Sequence, residues 1–474
     1  MSRLFDRNYT YFSTVRGMCR QCKKIIPARI VFKDNKVWQQ RLCHTCGTDD
    51  SALIAGDVNW YLERISEPRH DHSPLISSGN EKSSRKGCPH DCGPCSWHAT
   101  PCQLPVISVT NACNLRCPIC FTYNRSDKIY NISLEEMRHR VDNVIEQSGE
   151  CDLFNITGGE PTLHPDIFDI IRICKRPEIG RVTLNSNGIT LAKDQSFCDR
   201  LAELGVYVIL SFNTFSSESS IRIHGTDLVE TKLKAIDNLK KAGVRMTLLN
   251  VLIQDENEDQ LPKLIDLIRN NDHILSLTIQ TMTYTGQGGG NFQRSRHIPV
   301  DVATQLLCNG IEGEIKPGDF ISRPSAHPLC YSLCYLFKLD TLFLPFSNVL
   351  STAEQHDMLK DSYLLRVKDD QDFFTDIVNR LYAQNRTDIL PVFKQFVKEI
   401  FPAGKPLSLS ERREKTESAV RIICIHSHMD EDTFDCSRTV LCPDQVPCED
   451  GKLIPACTYN LFYRQQDENF YVST

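Results

Sequence analysis

Short apolar segments alternate with amphipathic ones between residues 104 and 282. The apolar runs, in order, are LPVISVT, DLFNIT, RVTLNS, VYVILSF, RMTLLNVLI and SLTIQTM. Segments such as LEEMRHRVDNVIEQ and LVETKLKAIDNLKKAG lie between them. Strands that alternate with helices of this length are typical of parallel βα units. The pattern predicts an α/β fold in which residues 104–300 form a partial (β/α)6 TIM-like barrel.

A different pattern precedes the barrel, in residues 1–67. The alternating stretch IIPARIVFKDNKVWQQRL predicts a β-hairpin, and a CxxC pair flanks it on each side. Two such pairs make a tetrahedral four-thiolate site, so this module is predicted to be a rubredoxin-like or zinc-ribbon module. Iron and zinc suit the site equally. Its expected ligands are Cys19, Cys22, Cys43 and Cys46.

Composition limits the function classes that fit the 474 residues. With 54 Lys and Arg against 60 Asp and Glu, the net charge of −6 offers no broad basic face for nucleic acid. No apolar run approaches the roughly 20 residues that span a bilayer, and the first residues are too polar for a secretory signal. We therefore expect a cytoplasmic protein, where 22 cysteines indicate metal ligation and not disulfides.

Two motifs follow the first two barrel strands. Cys113, Cys117 and Cys120 form a CxxxCxxC loop after PVISVT, at the strand end where barrels build active sites. Three thiolates ligate only three irons of a four-iron cluster, so the fourth iron stays open to a ligand. The second strand ends in the sequence Gly158-Gly159-Glu160-Pro161.

This pairing of CxxxCxxC with GGEP resembles the radical S-adenosylmethionine (SAM) superfamily. The resemblance implies that Cys113, Cys117 and Cys120 hold a catalytic four-iron four-sulfur cluster, which cleaves SAM to a 5′-deoxyadenosyl radical. It also implies a SAM site at the strand ends, where Glu160 accepts a hydrogen bond from the ammonium group. The expected SAM-binding residues are Gly158, Gly159, Glu160, Pro161, Asn185, Ser186, Ser211 and Asn213; turn caps are the alternative for the last four.

Two further groups of cysteines suggest auxiliary clusters. Residues 68–103 contain a polar linker and a second CxxxCxxC, which is expected to form a closed cluster or, alternatively, a zinc site, through Cys88, Cys92, Cys95 and Cys102. Residues 301–420 are predicted to be mostly helical and to include an HPLC ligand, and residues 421–474 to complete another cluster. Its expected ligands are Cys330, Cys442 and Cys457, with the fourth open among Cys436, Cys448, Cys334 and Cys424.

The order of these segments, ending in GKLIPACTYN, resembles the branch of archaeal tetraether lipid synthases and dihydropterin radical methyltransferases. The branch implies methylation or carbon–carbon bond formation on a small-molecule or lipid-like substrate, with an electron donor such as flavodoxin or ferredoxin. Two other functions stay open on sequence: a non-catalytic iron–sulfur protein for electron transfer or redox sensing, and a zinc scaffold.

Overall fold

The computed structural model describes residues 7–68, 86–93, 95, 97–122, 128–311, 313–339, 342–359, 362–363, 371–404 and 406–470. The polar linker predicted after the ribbon falls largely on residues 69–85, outside the described residues.

The N-terminal module is a four-stranded antiparallel sheet in the order β1-β2-β3-β4, followed by one helix. Its elements are β1 (Thr10–Met18), β2 (Ile25–Lys33), β3 (Lys36–Leu42), β4 (Asp49–Ala55) and α1 (Val58–Ser66). The predicted hairpin is confirmed as β2 and β3. Asp34 and Asn35 both have positive φ, as a two-residue hairpin turn requires. The structure adds β1 and β4 on the outer edges.

The predicted barrel is confirmed as six neighbouring parallel strands in chain order. They are β5 (Leu104–Ser108), β6 (Cys151–Thr157), β7 (Ile179–Ser186), β8 (Tyr207–Ser211), β9 (Met246–Leu252) and β10 (Ile274–Thr281). The helices between them are α2 (Leu134–Ser148), α3 (Ile167–Cys174), α4 (Ile189–Lys193), α5 (Gln195–Glu203), α6 (Ser217–His224), α7 (Val229–Ala242) and α8 (Leu261–Arg269). Their apolar faces pack on the outside of the strands and form the largest hydrophobic core.

The rest of the chain extends the same sheet on both sides. Its elements are α9 (Gly288–Asn291), α10 (Val300–Gly310), β11 (Tyr331–Leu339), β12 (Leu342–Pro345), α11 (Thr352–Met358), α12 (Gln371–Ala383), α13 (Leu390–Ile400), α14 (Leu409–Ala419), β13 (Val420–His426), α15 (Cys436–Thr439), β14 (Asp444–Pro447), β15 (Leu453–Pro455) and α16 (Ala456–Thr458). Strand β13 pairs parallel with β10, and β11 pairs antiparallel with β13. At the other edge, β14 pairs parallel with β5.

Two strands therefore lie in residues 301–420, where the sequence predicts mostly helix. The run YSLCYLFKL in β11 is buried at every position from Tyr331 to Phe337, so it lacks the polar and apolar alternation of a half-exposed strand. Such a run does not differ from a buried helix by periodicity. The helical prediction holds for α10 to α14.

A buried polar cluster joins the two sides of the extended sheet. The hydroxyl groups of Tyr331, on β11, and of Tyr363 both donate to the carboxylate of Asp444, on β14. The two phenols also lie 2.7 Å apart, measured between their oxygens. Because β11 and β14 flank opposite edges of the barrel strands, these bonds help to hold the sheet in its curved form.

The amino ends of three barrel strands converge on one carboxylate from α14. Glu417 accepts hydrogen bonds from the hydroxyl of Tyr207 at 2.8 Å and from Arg245 at 3.0 Å, and it also pairs with Arg181. A charged group with several partners at the base of a barrel contributes more than an isolated surface pair. This cluster attaches the helical region to the end of the barrel away from the motif loops.

The ribbon docks on the segment between β13 and α15. Arg41, on β3, donates to the carbonyl oxygens of Glu431 at 2.9 Å and of Asp432 at 2.5 Å. Gln39, on the same strand, donates to the carbonyl oxygen of Phe434 at 2.9 Å. None of the helices in the described part of the chain has the length and apolar character of a membrane span.

Replacing Glu417 with Gln should lower the free energy of unfolding by about 1 to 3 kcal/mol, because charge-assisted hydrogen bonds to two arginines are lost. Anaerobic urea denaturation measures the change. Glu203→Gln, at an exposed position at the end of α5, is the control. Equal midpoints for the two variants would show that Glu417 does not stabilise the barrel.

Candidate active site and cysteine clusters

The CxxxCxxC loop lies at the carboxyl end of β5, as the sequence predicts. The backbone N–H of Cys120 donates to the carbonyl oxygen of Cys117 at 3.0 Å, which folds the loop into a turn. Burial is the main reason that the pKa of Cys113 rises to about 11 and that of Cys117 to about 12, and the charge of Cys120 contributes to both shifts. Thiols in such surroundings stay protonated unless a metal compensates the thiolate charge.

The two glycines of GGEP allow the end of β6 to pack directly against this loop. A Cβ atom on Gly158 would lie 2.4 Å from the carbonyl oxygen of Thr110, and one on Gly159 would lie 2.2 Å from that of Ala112. The backbone N–H groups of Gly159 and Glu160 donate to these same two oxygens, both at 2.7 Å. Glycine is therefore required at both positions, because the backbone at the end of β6 lies too close to the backbone of the cysteine loop for a side chain to fit.

The carboxylate of Glu160 is buried and accepts hydrogen bonds from three neighbouring residues. It accepts hydrogen bonds from the hydroxyl of Thr162 at 2.7 Å, the hydroxyl of Ser186 at 3.0 Å and the backbone N–H of Asn187 at 2.7 Å. Burial raises its pKa, and these three donors oppose the shift. Glu160 thus ties the end of β6 to the turn after β7. Pro161 begins the short 3-10 turn that follows.

A buried lysine that the sequence did not reveal lies beside these motifs. Lys232, in the first turn of α7, is 2% exposed and donates to the carbonyl oxygen of Ser211. Burial lowers its pKa to about 8, while Cys117 and Glu160 act in the opposite direction. In the sequence LVETKLKAIDNLKK, a lysine on an amphipathic helix indicates a solvent-facing position. No local signal distinguishes it from its exposed neighbours.

The other two polar strand ends differ in their contacts. The side-chain amide of Asn185 lies 3.4 Å from the hydroxyl of Thr157, and its carbonyl oxygen is buried without a hydrogen-bond partner among the described residues. Asn213 instead accepts the backbone N–H of Val251 at 2.8 Å, which fastens β8 to β9. Asn185 therefore has a free acceptor, whereas the side-chain oxygen of Asn213 is already used within the fold.

The four ribbon cysteines form a compact site. The Sγ atoms of Cys19, Cys22, Cys43 and Cys46 all lie within 4.8 Å of one another. A hydrogen bond from the backbone of Cys46 is the largest contribution to the lowered pKa of Cys43. Four converging sulfurs match the donor set of a tetrahedral ion.

The structure joins Cys88, Cys92 and Cys95 with Cys436 and not with Cys102. The pKa of Cys88 rises because of its hydrogen bond to Cys436, with contributions from Cys92 and Cys95. Cys102 instead packs in the barrel core, where the charge of Cys151 acts on it. Cys436, which lies 348 positions from Cys88 along the chain, thus stands beside this set, where the sequence spacing predicts Cys102.

The C-terminal set does come together across the helical region. Burial raises the pKa of Cys442, and the charges of Cys457 and Cys330 raise it further. Arg438 donates to the sulfur of Cys330 at 3.4 Å, and the backbone N–H of Met429 donates to that of Cys457 at 3.2 Å. These donors favour the thiolate forms that ligate metals.

The four cysteines considered for the last position lie in different surroundings. Cys436 joins Cys88, and Cys334 lies in the barrel core near Cys308. Cys448 lies beside Asp450 and Arg140, and Cys424 beside Asp444 and Arg323.

The sets also differ in size. Apart from the ribbon, no three metal-ligating side-chain atoms of the described residues all lie within 4.8 Å of one another. Three sets of cysteines are therefore wider than a single-ion site, whose ligands lie about 2.0–2.3 Å from the ion. They are the set on the CxxxCxxC loop, the Cys88 set with Cys92, Cys95 and Cys436, and the C-terminal set with Cys330, Cys442 and Cys457. Wider thiol sets fit a multi-atom group such as a cluster.

Comparison with known families agrees with this geometry. The model of the Radical SAM superfamily matches residues 107–268, which include the cysteine loop and GGEP. Residues 107–268 of this chain thus form a radical SAM domain. A second model, the HMPTM N-terminal zinc ribbon domain, matches residues 11–54 and confirms the predicted ribbon.

Relatives of this radical SAM enzyme fall into two groups. It is 27% identical over 483 residues, 95% of this chain and 94% of the relative, to the 7,8-dihydro-6-hydroxymethylpterin dimethyltransferase of Methanocaldococcus jannaschii. It is 32% identical over 179 residues to the GTP 3′,8-cyclase of Chlorobaculum tepidum, covering 37% of this chain and 52% of the cyclase. The chain thus spans about half the length of that cyclase.

Solved structures overlap with part of this radical SAM chain. Streptococcus suis SuiB bound to S-adenosylmethionine has a TM-score of 0.38 and 20% identity, and the match covers 43% of this chain and 45% of SuiB. The anSMEcpe structure with bound AdoMet has a TM-score of 0.35 and 22% identity, with 44% and 58% covered.

A radical SAM domain implies a four-iron four-sulfur cluster and SAM. The residues present fit both: three partly buried thiols lie on one loop, and a buried acceptor with no hydrogen-bond partner among the described residues, Asn185 Oδ1, lies at the end of β7. The ribbon sulfurs fit one additional metal ion.

Replacing Gly159 with Ala should disturb the radical SAM site, because the new methyl group would overlap backbone atoms that have no room to move. Overpacking of this kind costs about 1 to 3 kcal/mol, which a thermal melt of the anaerobic protein detects. Gly290→Ala is the matched control, since its added methyl group meets open space. Equal melting temperatures for the two variants would contradict the close approach of β6 to the cysteine loop.

Proposed function

We propose that this radical SAM enzyme methylates a planar heterocyclic substrate related to a dihydropterin. The observation that carries the proposal is the Cys113–Cys120 loop packed against GGEP, in a chain that is similar over 95% of its length to a named dihydropterin dimethyltransferase. The bound cluster and SAM supply one-electron cleavage of a carbon–sulfur bond, which begins radical chemistry at a substrate carbon.

Each residue around the catalytic loop then has a defined task. Cys113, Cys117 and Cys120 bind the cluster and leave one iron for the amino and carboxylate groups of SAM. Gly158 and Gly159 bring the end of β6 into contact with the loop, and Pro161 begins the turn that follows. The buried charge of Lys232 offsets the negative charge of Cys117 and Glu160.

The polar strand ends complete the SAM site in this proposal. Asn185 offers its unpartnered carbonyl oxygen, and Ser186 and Ser211 lie at the ends of neighbouring strands. Glu160 and Asn213 act mainly by fixing the turns around the site, because their side-chain oxygens already accept protein hydrogen bonds. Oε2 of Glu160 accepts one protein hydrogen bond, from the backbone N–H of Asn187, and so keeps a lone pair for the ammonium group of SAM.

Two auxiliary clusters accompany the catalytic one in the proposal. Cys88, Cys92, Cys95 and Cys436 provide four thiolates, as a closed cluster requires. Cys330, Cys442 and Cys457 provide three thiolates for the other cluster. We place iron or zinc in the ribbon, and an electron donor such as flavodoxin or ferredoxin supplies the electrons.

Carbon–carbon bond formation is the second candidate function, favoured by the 32% identity of the barrel to a GTP 3′,8-cyclase. The mass of the product distinguishes the two. Methylation adds carbon from a separate donor, whereas cyclisation of one substrate leaves its carbon count unchanged.

Release of 5′-deoxyadenosine tests the proposed function. Reconstituted protein with a strong reductant and SAM should form it, and Cys117→Ala should abolish the reaction because the catalytic cluster loses a ligand. Cys198→Ala, which changes a buried cysteine of α5, should retain it. Absence of 5′-deoxyadenosine from a wild-type protein with full iron content would refute the proposal.

Replacement of single cysteines by serine tests which residues ligate the cluster at Cys88, Cys92 and Cys95. Cys436→Ser should reduce the iron content by up to about four atoms per chain, because a closed cubane cluster loses a thiolate. Cys102→Ser removes the same kind of sulfur from the barrel core and should leave the iron content unchanged. Iron loss from Cys102→Ser alone would instead support the ligand set expected from spacing.

A further inference from the structure

An aromatic side chain is exposed directly beside the catalytic cysteines. Phe121 follows Cys120 in the chain and is 40% exposed, although the neighbouring Ile119 is only 9% exposed. Its ring is nearly parallel to that of His428, with an interplanar angle of 17° and 6.1 Å between the ring centroids. The imidazole of His428 thus backs the partly exposed ring of Phe121 beside the cysteine loop.

Hydrogen bonds on both sides fix the imidazole plane of His428. Its Nε2 lies 3.3 Å from the amide nitrogen of Gln280, and its Nδ1 lies 3.5 Å from the sulfur of Cys457. Because the amide N–H of Gln280 donates to Nε2, Nδ1 carries the proton and donates to the sulfur. Gln280, in the last barrel strand, is only partly buried.

Close contacts with the segment around Gly286 and Gly288 also fix the backbone of Phe121. Gly286 has φ +60°, and a Cβ atom there would lie 2.3 Å from the carbonyl carbon and oxygen of Phe121. The backbone N–H of Gly288 donates to the carbonyl oxygen of Cys120 at 3.1 Å. The platform is therefore preformed, and little ordering is needed when a ligand stacks on it.

We propose that Phe121 and His428 form a stacking platform for the planar heterocycle of the substrate, with the Gln280 amide at its edge. This inference rests on the proposed function and specifies where its substrate lies. A π platform with an amide recognises a planar nitrogen heterocycle, whose faces stack and whose edge exchanges hydrogen bonds. It would place the heterocycle between the catalytic loop at Cys120 and the C-terminal set at Cys457.

Binding measurements on the reconstituted holoenzyme test the platform. The probes are 7,8-dihydro-6-hydroxymethylpterin and GTP, titrated anaerobically with fluorescence or dialysis as the readout. Loss of stacking in Phe121→Leu, which keeps an apolar side chain of similar size, should weaken binding of the preferred probe by roughly five-fold to a hundred-fold. Phe121→Tyr keeps the ring and should bind within about two-fold of wild type.

Phe12→Ala serves as the matched control, because Phe12 is 39% exposed on the edge strand of the ribbon and lies outside the proposed site. Equal affinity of wild type and Phe121→Leu would overturn the platform, as would failure of both probes to bind wild type. Iron content is measured for every variant, so that loss of a cluster is not mistaken for loss of stacking.

The same samples distinguish this inference from the proposed function. Wild-type protein that forms no 5′-deoxyadenosine would refute the proposed function itself. Wild-type protein that cleaves SAM and binds a probe, with no difference in Phe121→Leu, would refute the platform alone.

Discussion

The segment after residue 420 pairs with both edges of the barrel sheet. The shape of the sheet and the grouping of the cysteines depend on this pairing. Strand β13 extends the sheet beyond β10, and β14 extends it beside β5. Cys436, Cys442 and Cys457 lie on the same segment, and each joins cysteines from an earlier part of the chain. Metal binding at these positions would therefore contribute to the free energy of folding as well as to chemistry.

Charge compensation is the second constraint on this arrangement. Burial raises the pKa of Cys117 on the cysteine loop and of Cys442 in the C-terminal set, so their thiolate forms need nearby positive charge or hydrogen-bond donors. The fold supplies these locally: Lys232 lies near Cys117, Arg438 donates to Cys330, and the backbone of Met429 donates to Cys457. The catalytic and C-terminal sites thus each include their own electrostatic compensation.

The sequence predicts the features whose signals are local. The six barrel strands, the hairpin between the CxxC pairs and the two adjacent motifs all follow from periodicity and spacing over short segments. Cys436 was not assigned to the Cys88 set, because spacing favours Cys102 and only the folded chain brings residue 436 to this position. Lys232 and β11 were missed for a related reason, since burial by distant elements changes how a lysine or an apolar run should be interpreted.

We propose that the chain holds three iron–sulfur clusters at three separate cysteine sets, one of which is catalytic. Mössbauer spectroscopy combined with iron and sulfide analysis of the anaerobically reconstituted full chain tests it most directly. Four irons in each of three clusters predict about twelve irons and about twelve sulfides per chain, apart from the metal of the ribbon. A fully reconstituted and active protein with only about four irons in a single cluster would contradict the account.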